Sequence, residues 1–153
     1  MKLSRLFTGL VLLTSAFLVG CSSGPSVKLD LYASANSSLD EMGRPLSTVV
    51  RVYQLSGTRA FESSSFEELW QADIKVLGRE MVSRQEFFVV PNSSRVISVN
   101  KQKDARYIAV VALFRNPISG RWRAYRPLHN GYIRGRFGEG VRITLRNNEL
   151  LMD

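Results

Sequence analysis

Cysteine and histidine are almost absent from this sequence of 153 residues, which holds only Cys21 and His129. A single cysteine forms no intramolecular disulfide, so the fold must be stabilised by packing. Zinc sites built from clustered cysteine and histidine are excluded for the same reason. His129 lies in the turn-like segment from Pro127 to Gly131, with no serine or cysteine nucleophile in a recognisable motif beside it. We interpret it as part of a solvated turn and predict no catalytic residue and no metal site.

Motifs for cofactors and small-molecule substrates are also missing. The spacing of the late glycines matches neither common phosphate-binding fingerprint, so they are interpreted as loop residues: Gly131, Gly135, Gly138 and Gly140. The carboxylates are scattered along the chain, so a glycosidase-like pair would have to be assembled by the fold. The sequence therefore predicts a protein that is not an enzyme and takes no cofactor and no small-molecule substrate.

An apolar run follows a short basic start at the N-terminus. Lys2 and Arg5 precede an uncharged stretch over residues 6–20. That stretch is about 22 Å long as a helix, too short to span a bilayer comfortably. This arrangement is typical of a secretory signal peptide. It ends in Leu18-Val19-Gly20-Cys21, which resembles the bacterial lipobox, whose cysteine is acylated and becomes the new N-terminus. Residues 1–20 are predicted to be a lipoprotein signal peptide, and Cys21 the lipidated residue.

The residues after Cys21 predict where the lipid holds the protein. An aspartate at the next position commonly retains a lipoprotein at the inner membrane, and Ser22 stands there instead. We therefore expect an outer-membrane protein that faces the periplasm. Residues 21–26 are predicted to be the acylated cysteine and a flexible tether, and residues 27–153 one domain.

Positive charge dominates the chain, whose formal net charge is +8. Arginine is concentrated in residues 121–146, a pattern that would suggest nucleic acid in a cytoplasmic protein. Export makes nucleic acid an improbable partner. Anionic lipid headgroups or an acidic partner surface remain open as functions of this segment. A solvated face of a sheet is the interpretation that we favour.

Alternating apolar residues predict strands along most of the domain. Val27, Leu29, Leu31 and Ala33 alternate with polar neighbours, and comparable runs recur at 48–55, 81–90, 95–99, 107–114, 122–125 and 141–146. One helix interrupts them, with a capping box at Ser64–Glu68, a C-terminal αL glycine at Gly78, and an apolar face of Phe66, Leu69, Trp70, Ile74 and Leu77. Trp70 is expected to pack in the core. The sequence predicts an all-β sandwich of about seven to eight strands with one added short α-helix.

A long loop joins the first two strands. It runs from Asn36 to Leu46, which exceeds the usual length for neighbouring strands. Leu39 and Met42 are apolar within this otherwise polar loop, so either they contact a partner or they fold back onto the core.

Several blocks together resemble the outer-membrane lipoprotein family of the type VI secretion system, the TssJ or SciN-like family. They are Asn36, Gly43-Arg44-Pro45-Leu46 with Val50-Arg51-Val52-Tyr53-Gln54-Leu55, Phe66 to Asp73 with Leu77-Gly78, and Tyr107 to Asn116 followed by Trp122-Arg123. The resemblance covers nearly all of the mature chain in the same order.

The resemblance implies a transthyretin-like β-sandwich with a structural role. The family's lipid lies in the inner leaflet of the outer membrane, and its domain grips the periplasmic domain of the large inner-membrane subunit. It also implies that the first long loop makes this contact. The expected partner-binding residues are therefore Asn36, Leu39, Asp40, Glu41, Met42, Gly43, Arg44 and Pro45. The alternative is a periplasmic lipoprotein that acts as an inhibitor or chaperone through loop-mediated protein binding.

Overall fold

The computed structural model describes residues 25–129 and 139–153 of the chain. These residues form eight strands: β1 (Ser26–Ala33), β2 (Thr48–Leu55), β3 (Met81–Val89), β4 (Ser93–Asn100), β5 (Tyr107–Leu113), β6 (Arg123–Pro127), β7 (Glu139–Arg146) and β8 (Glu149–Met152). Two α-helices, α1 (Arg59–Ser63) and α2 (Phe66–Leu77), and a 3₁₀ turn (Gly78–Glu80) lie between β2 and β3. The predicted mainly-β fold is confirmed.

The strands form two sheets of four. One sheet has the order β4-β1-β7-β8 and the other β3-β2-β5-β6. β1 runs through the first sheet between β4, with which it is antiparallel, and β7, with which it is parallel. The second sheet is antiparallel throughout. Because β3 and β4 are edge strands of different sheets, the connection between them joins the two layers of the sandwich.

The core lies between the sheets and continues beneath the helices. The alternating residues of β1 that were predicted to face the core, from Val27 to Ala33, are all buried. Ile108 to Ala112 of β5 are buried on both sides, which explains their continuous apolar run. Tyr53 of β2 is fully buried and packs edge-to-face against Phe61 of α1, so the outer side of the second sheet is covered by the helical segment.

The structure confirms the start of α2 and corrects its apolar face. Ser65 caps the helix and exchanges hydrogen bonds with Glu68, as the capping box predicts. The expectation that Trp70 packs in the core is wrong, because its side chain is 50% exposed and Ile74 is 64% exposed. The buried stripe instead includes Leu69, Asp73 and Leu77, since ion pairs from the sheet draw the carboxylate of Asp73 inward.

Three local features differ from the sequence-based expectation. Gly78 ends α2 at φ 49° and ψ −123°, so it has the positive φ that favours glycine but not the αL conformation. The five-residue helix α1 precedes the predicted helix. A further short strand, β8, follows a tight turn at Asn147 and Asn148, whose φ values of 49° and 59° are those of a type I′ hairpin turn.

The strand directions give the sandwich two distinct ends. The tether end holds Pro25, the start of β1 and the loop over residues 101–106; the amide of Lys101 donates to the carbonyl of Pro25 at 2.9 Å. The loop end holds the connection over residues 34–47, the β7–β8 turn and the loop over residues 114–122. Within the residues that the structure describes, no helix is long and apolar enough to cross a bilayer.

Candidate functional site

The long loop folds into a small hairpin of its own at the loop end. Leu39 and Pro45 form an isolated antiparallel bridge. The amide of Asp40 donates to the carbonyl of Arg44 at 3.0 Å, and that of Leu46 donates to Ser38 at 2.8 Å. Gly43, with φ 75°, closes the turn by donating to the carbonyl of Asp40 at 3.1 Å. The loop is therefore a structured projection.

Asp40 organises the tip of this hairpin. Its carboxylate accepts from the amides of Met42 at 2.9 Å and Arg44 at 2.8 Å, and from Nε of Arg44 at 2.7 Å. The Arg44 amide is the foremost of the contacts that hold the pKa of Asp40 below its usual value. Because these bonds occupy the carboxylate, the tip presents Glu41 and Met42 to solvent, with Met42 78% exposed.

The base of the loop is fixed to the β7–β8 turn. The amide of Asn147 donates to the carbonyl of Asn36 at 2.8 Å, and the two asparagine side chains are also hydrogen-bonded. The amide of Leu39 donates to the side chain of Asn148 at 2.7 Å. Ser37, which lies between these contacts, is buried. Asn36 and Leu39 therefore position the hairpin, and Leu39 is only partly exposed.

An apolar groove runs from the hairpin to the start of α2. Its volume is about 460 Å³, and it is lined by Ser38, Leu46, Ser47, Val49, Phe66, Trp70, Leu113, Phe114 and Arg115. A smaller hollow of about 210 Å³ adjoins it and shares Leu46 and Arg115 with it. Asp40, Glu41, Met42 and Arg44 line the remainder of that hollow. Met42 and Trp70 thus line two adjoining hollows that share Leu46 and Arg115.

Ion pairs beneath α2 hold Trp70 at this groove. Asp73 accepts from Nε of Arg84 at 2.7 Å and from the hydroxyl of Tyr53 at 2.7 Å, and Arg51 lies 3.2 Å away. Arg51 also donates to the carbonyls of Leu69 at 2.7 Å and Trp70 at 3.0 Å. The helix is thereby fixed to β2 and β3 at the turn that carries Trp70.

The same contacts set the protonation states in this cluster. Burial would raise the pKa of Asp73, but the hydrogen bonds from Arg84 and Tyr53 and the charge of Arg51 hold it below its usual value. The pKa of Glu86 is lowered mainly by its hydrogen bond from Arg51. Burial and the hydrogen bond to Asp73 raise the pKa of Tyr53, which therefore stays neutral. Every member has an ionic or hydrogen-bonded partner, as a structural network requires.

In the part of the arginine-rich segment that the structure describes, the arginines do not form one patch. Arg121 pairs with Glu149 at 3.0 Å near the loop end. Arg123 lies beneath α1 and donates to three backbone carbonyls there. These are the carbonyl of Ser64 at 2.6 Å, that of Glu62 at 2.7 Å, and that of Phe61. Arg134 and Arg136 lie outside the described residues, as does Cys21. Arg123 is thus a structural residue, which the pattern of the sequence does not reveal.

The structure brings the predicted loop residues together but divides their roles. Glu41 and Met42 are exposed at the tip with Gly43, Arg44 and Pro45, whereas Asn36, Leu39 and Asp40 hold the loop in shape. Sequence reasoning missed Trp70 and Phe66 as groove residues, and Asn147 and Asn148 as supports. Asn147 and Asn148 could have been recognised, because two consecutive asparagines after an alternating run of apolar residues are a turn signal.

Fold and site together define a class of protein: a β-sandwich domain with a groove and exposed apolar side chains at its loop end. Within the described ranges, no group of three or more histidine, cysteine or acidic residues is placed to hold a metal ion. At the loop end, exposed apolar side chains lie beside charged ones, a combination that is common in protein–protein interfaces.

Comparison with known proteins identifies the family. Residues 25–148 match the family described as type VI secretion lipoprotein, VasD, EvfM, TssJ, and the chain belongs to that family. No curated protein matches the sequence.

Solved structures share the fold. The type VI lipoprotein TssJ1 from Pseudomonas aeruginosa has a TM-score of 0.75 and 22% identity, over 85% of this chain and 95% of that one. Lip from Serratia marcescens is described as a membrane-bound component of the type VI secretion system. It has a TM-score of 0.77 and 21% identity, over 85% of this chain and 96% of that one. A chain from a structure described as the T6SS protein TssM C-terminal domain from EAEC has a TM-score of 0.68 and 22% identity, over 84% of this chain and 98% of that one.

Proposed function

We propose that this lipoprotein anchors the periplasmic domain of the large type VI inner-membrane subunit to the outer membrane. Membership of the family supports a role in the secretion membrane complex. A solved structure that is described as the TssM C-terminal domain contains a chain of the same fold, which supports the choice of partner. The lipobox-like sequence at Cys21, followed by Ser22, supports lipid attachment at the outer membrane.

The observation that carries the proposal is the position of the exposed apolar surface. Met42 and Trp70 lie at the loop end, whereas the segment that leads to Cys21 leaves from Pro25 at the tether end. A domain anchored at one end can present the opposite end to a partner that extends across the periplasm. Exposed apolar residues beside a groove are typical of a binding surface.

The residues at the loop end have different roles in this interface. Met42 and Trp70 are the apolar anchors, because their exposed side chains gain most from burial against a partner. Glu41 and Arg44 lie around them and orient the approach. Asp40 fixes the hairpin before binding, which reduces the entropy lost when the complex forms.

β1 connects the two attachment points directly. It begins beside the tether and ends at the loop, and it lies between two neighbouring strands. Its register pairs eight residues with β4 and seven with β7. Tension between the membrane and the partner therefore acts along β1, so that both ladders must shear together before the strand is extracted. This arrangement suits a protein that holds two bodies together under load.

Secretion by chromosomal variants in the source bacterium tests both attachments. Cys21→Ser should release the protein from the membrane and abolish secretion while the domain still folds. Met42→Ser with Trp70→Ser should leave the protein in the outer membrane, abolish secretion, and prevent co-purification of the large subunit. A matched control is Phe88→Ser with Val96→Ser, two side chains that are 76% and 67% exposed on β3 and β4. Normal secretion by Cys21→Ser at native expression would contradict the anchoring role.

A further inference from the structure

We infer that the tether end carries a lipid-contacting surface, formed by Lys101, Lys103 and Arg106, that docks the domain onto anionic headgroups of the membrane holding Cys21. This inference rests on the proposed lipid anchor. It adds a second, electrostatic contact between the protein and the membrane. Lys103 and Arg106 are exposed, and Asp104 is the only acidic residue in the loop over residues 101–106.

The length of the tether places this loop at the membrane. Only Ser22, Ser23 and Gly24 separate Cys21 from Pro25. Four residue steps span at most about 14 Å when fully extended. The carbonyl of Pro25 accepts the amide of Lys101 at 2.9 Å, so the loop begins at the point where the tether leaves the domain. The tether therefore keeps the start of the loop within reach of the headgroup layer, so that a modest electrostatic attraction is enough to bring the two into contact.

The loop is held rigidly, so its charges are presented in a fixed arrangement. The buried side chain of Gln54 donates to the carbonyl of Asn100 at 2.9 Å and accepts from the amide of Gln102 at 2.8 Å. The amide of Arg106 donates to the carbonyl of Leu55 at 2.8 Å. The side chain of Lys101 donates to the carbonyl of His129 at 2.9 Å, which ties the loop to the end of β6.

The chemistry of this end favours a headgroup layer over a protein partner. Ala105 is the only apolar residue of the loop, and it is buried. The large exposed apolar side chains of the described ranges lie elsewhere, with none in residues 100–106 or 126–129. A protein interface requires an apolar centre, whereas a phosphate-rich surface requires only cations within about one Debye length, roughly 8 Å.

Depth measurement on the lipidated chain tests this inference without any partner protein. Gln102 is exposed, and Cys21 is blocked by its lipid, so Gln102→Cys provides one labelling site beside the basic residues. The labelled protein is placed in vesicles of phosphatidylcholine alone or mixed with phosphatidylglycerol. Quenching by a headgroup-attached quencher reports how close the loop lies to the surface.

We expect strong quenching in the anionic vesicles at low salt. Quenching should be weaker in the neutral vesicles, and weaker in the anionic vesicles at high salt. Lys103→Glu with Arg106→Glu should lower the ratio of docked to undocked domains about tenfold or more. The matched control makes the same charge change away from the tether end, Arg95→Glu with Arg146→Glu, two exposed residues, and should leave quenching unchanged.

Equal quenching in both vesicle types, unaffected by the Lys103 and Arg106 changes, would overturn the inference, because the tether alone would then position the loop. Absence of quenching would also overturn it. Flotation of the vesicles separates this failure from failure of the anchor, since a chain without its lipid remains at the bottom of the gradient. Loss of partner binding cannot affect the result.

Discussion

The two ends of the sandwich differ in what they expose and in how they are held. The loop end exposes Met42 and Trp70 around an apolar groove, and some of its charges are paired, as Arg44 is with Asp40 and Arg121 with Glu149. The tether end exposes Lys103 and Arg106 on a loop whose only apolar residue is buried. One end is thus suited to a protein partner and the other to a charged surface.

This difference shows how one small domain can face two neighbours. The surfaces share no residue, and β1 is one of the strands that run from one end of the sandwich to the other. Each end is fixed to the sandwich by its own set of contacts: asparagine side chains at the loop end and the buried Gln54 at the tether end. Substitutions at one end should therefore leave the other unaffected.

The largest expected effect on stability comes from the ion cluster that positions Trp70. Asp73→Ala leaves Nε of Arg84 and the buried hydroxyl of Tyr53 without their acceptor. It should lower the free energy of unfolding by about 3 kcal/mol and the Tm by about 10 °C. Calorimetry of the variant measures both. Glu67→Ala, an exposed change on the same helix, is the control and should cost less than about 0.5 kcal/mol. Equal losses from the two variants would show that the cluster does not hold the helix.

Acid should reveal the same cluster in the unmodified protein. The folded-state pKa values of Asp73 and Glu86 lie below their ordinary values of 3.8 and 4.5. Their stabilisation is therefore complete above those ordinary values and is lost as the pH falls through the lower, folded-state values. The Tm should be nearly constant between pH 7 and about pH 5, and should fall below about pH 4. Asp73→Ala should reduce that fall, and an unchanged acid dependence would count against the cluster.

A smaller, local effect is expected at the hairpin tip. Asp40→Ala removes the acceptor for two backbone amides, those of Met42 and Arg44. Hydrogen exchange should accelerate at these amides, and partner binding should weaken about tenfold, because the hairpin is no longer fixed before binding. The amides of Gln102 and Arg106 at the tether end should exchange as before. Faster exchange there would show that the two ends are coupled.

The strands could be predicted from the sequence because burial between two sheets imposes a period of two, as Val27, Leu29 and Leu31 show. The helix was predicted only in part. Trp70 and Ile74 are apolar and were assigned to the buried face, whereas Asp73 occupies it through partners on β2 and β3. A periodic pattern contains no information about an ion pair between residues that are distant in sequence.

The loop could be recognised from the sequence as a long connection between the first two strands. The separate roles of its residues could not, because they depend on contacts with residues elsewhere in the chain. Leu39 is tied to Asn148 and Asn36 to Asn147, so neither is free to act only as a contact residue. Met42 projects at the tip, where its exposure agrees with a role in contact. Its use in partner binding remains a prediction.

Calorimetric binding to the periplasmic domain of the large type VI inner-membrane subunit would show whether the loop end is the partner-binding surface. The mature chain would be used as its soluble Cys21→Ser form, because all eight strands lie beyond residue 21. We expect binding that weakens about 100-fold with Met42→Ser and Trp70→Ser, roughly 3 kcal/mol, and is unchanged by Lys103→Glu with Arg106→Glu. Binding that survives the loop-end changes and is lost with the tether-end changes would contradict the assignment of the two ends.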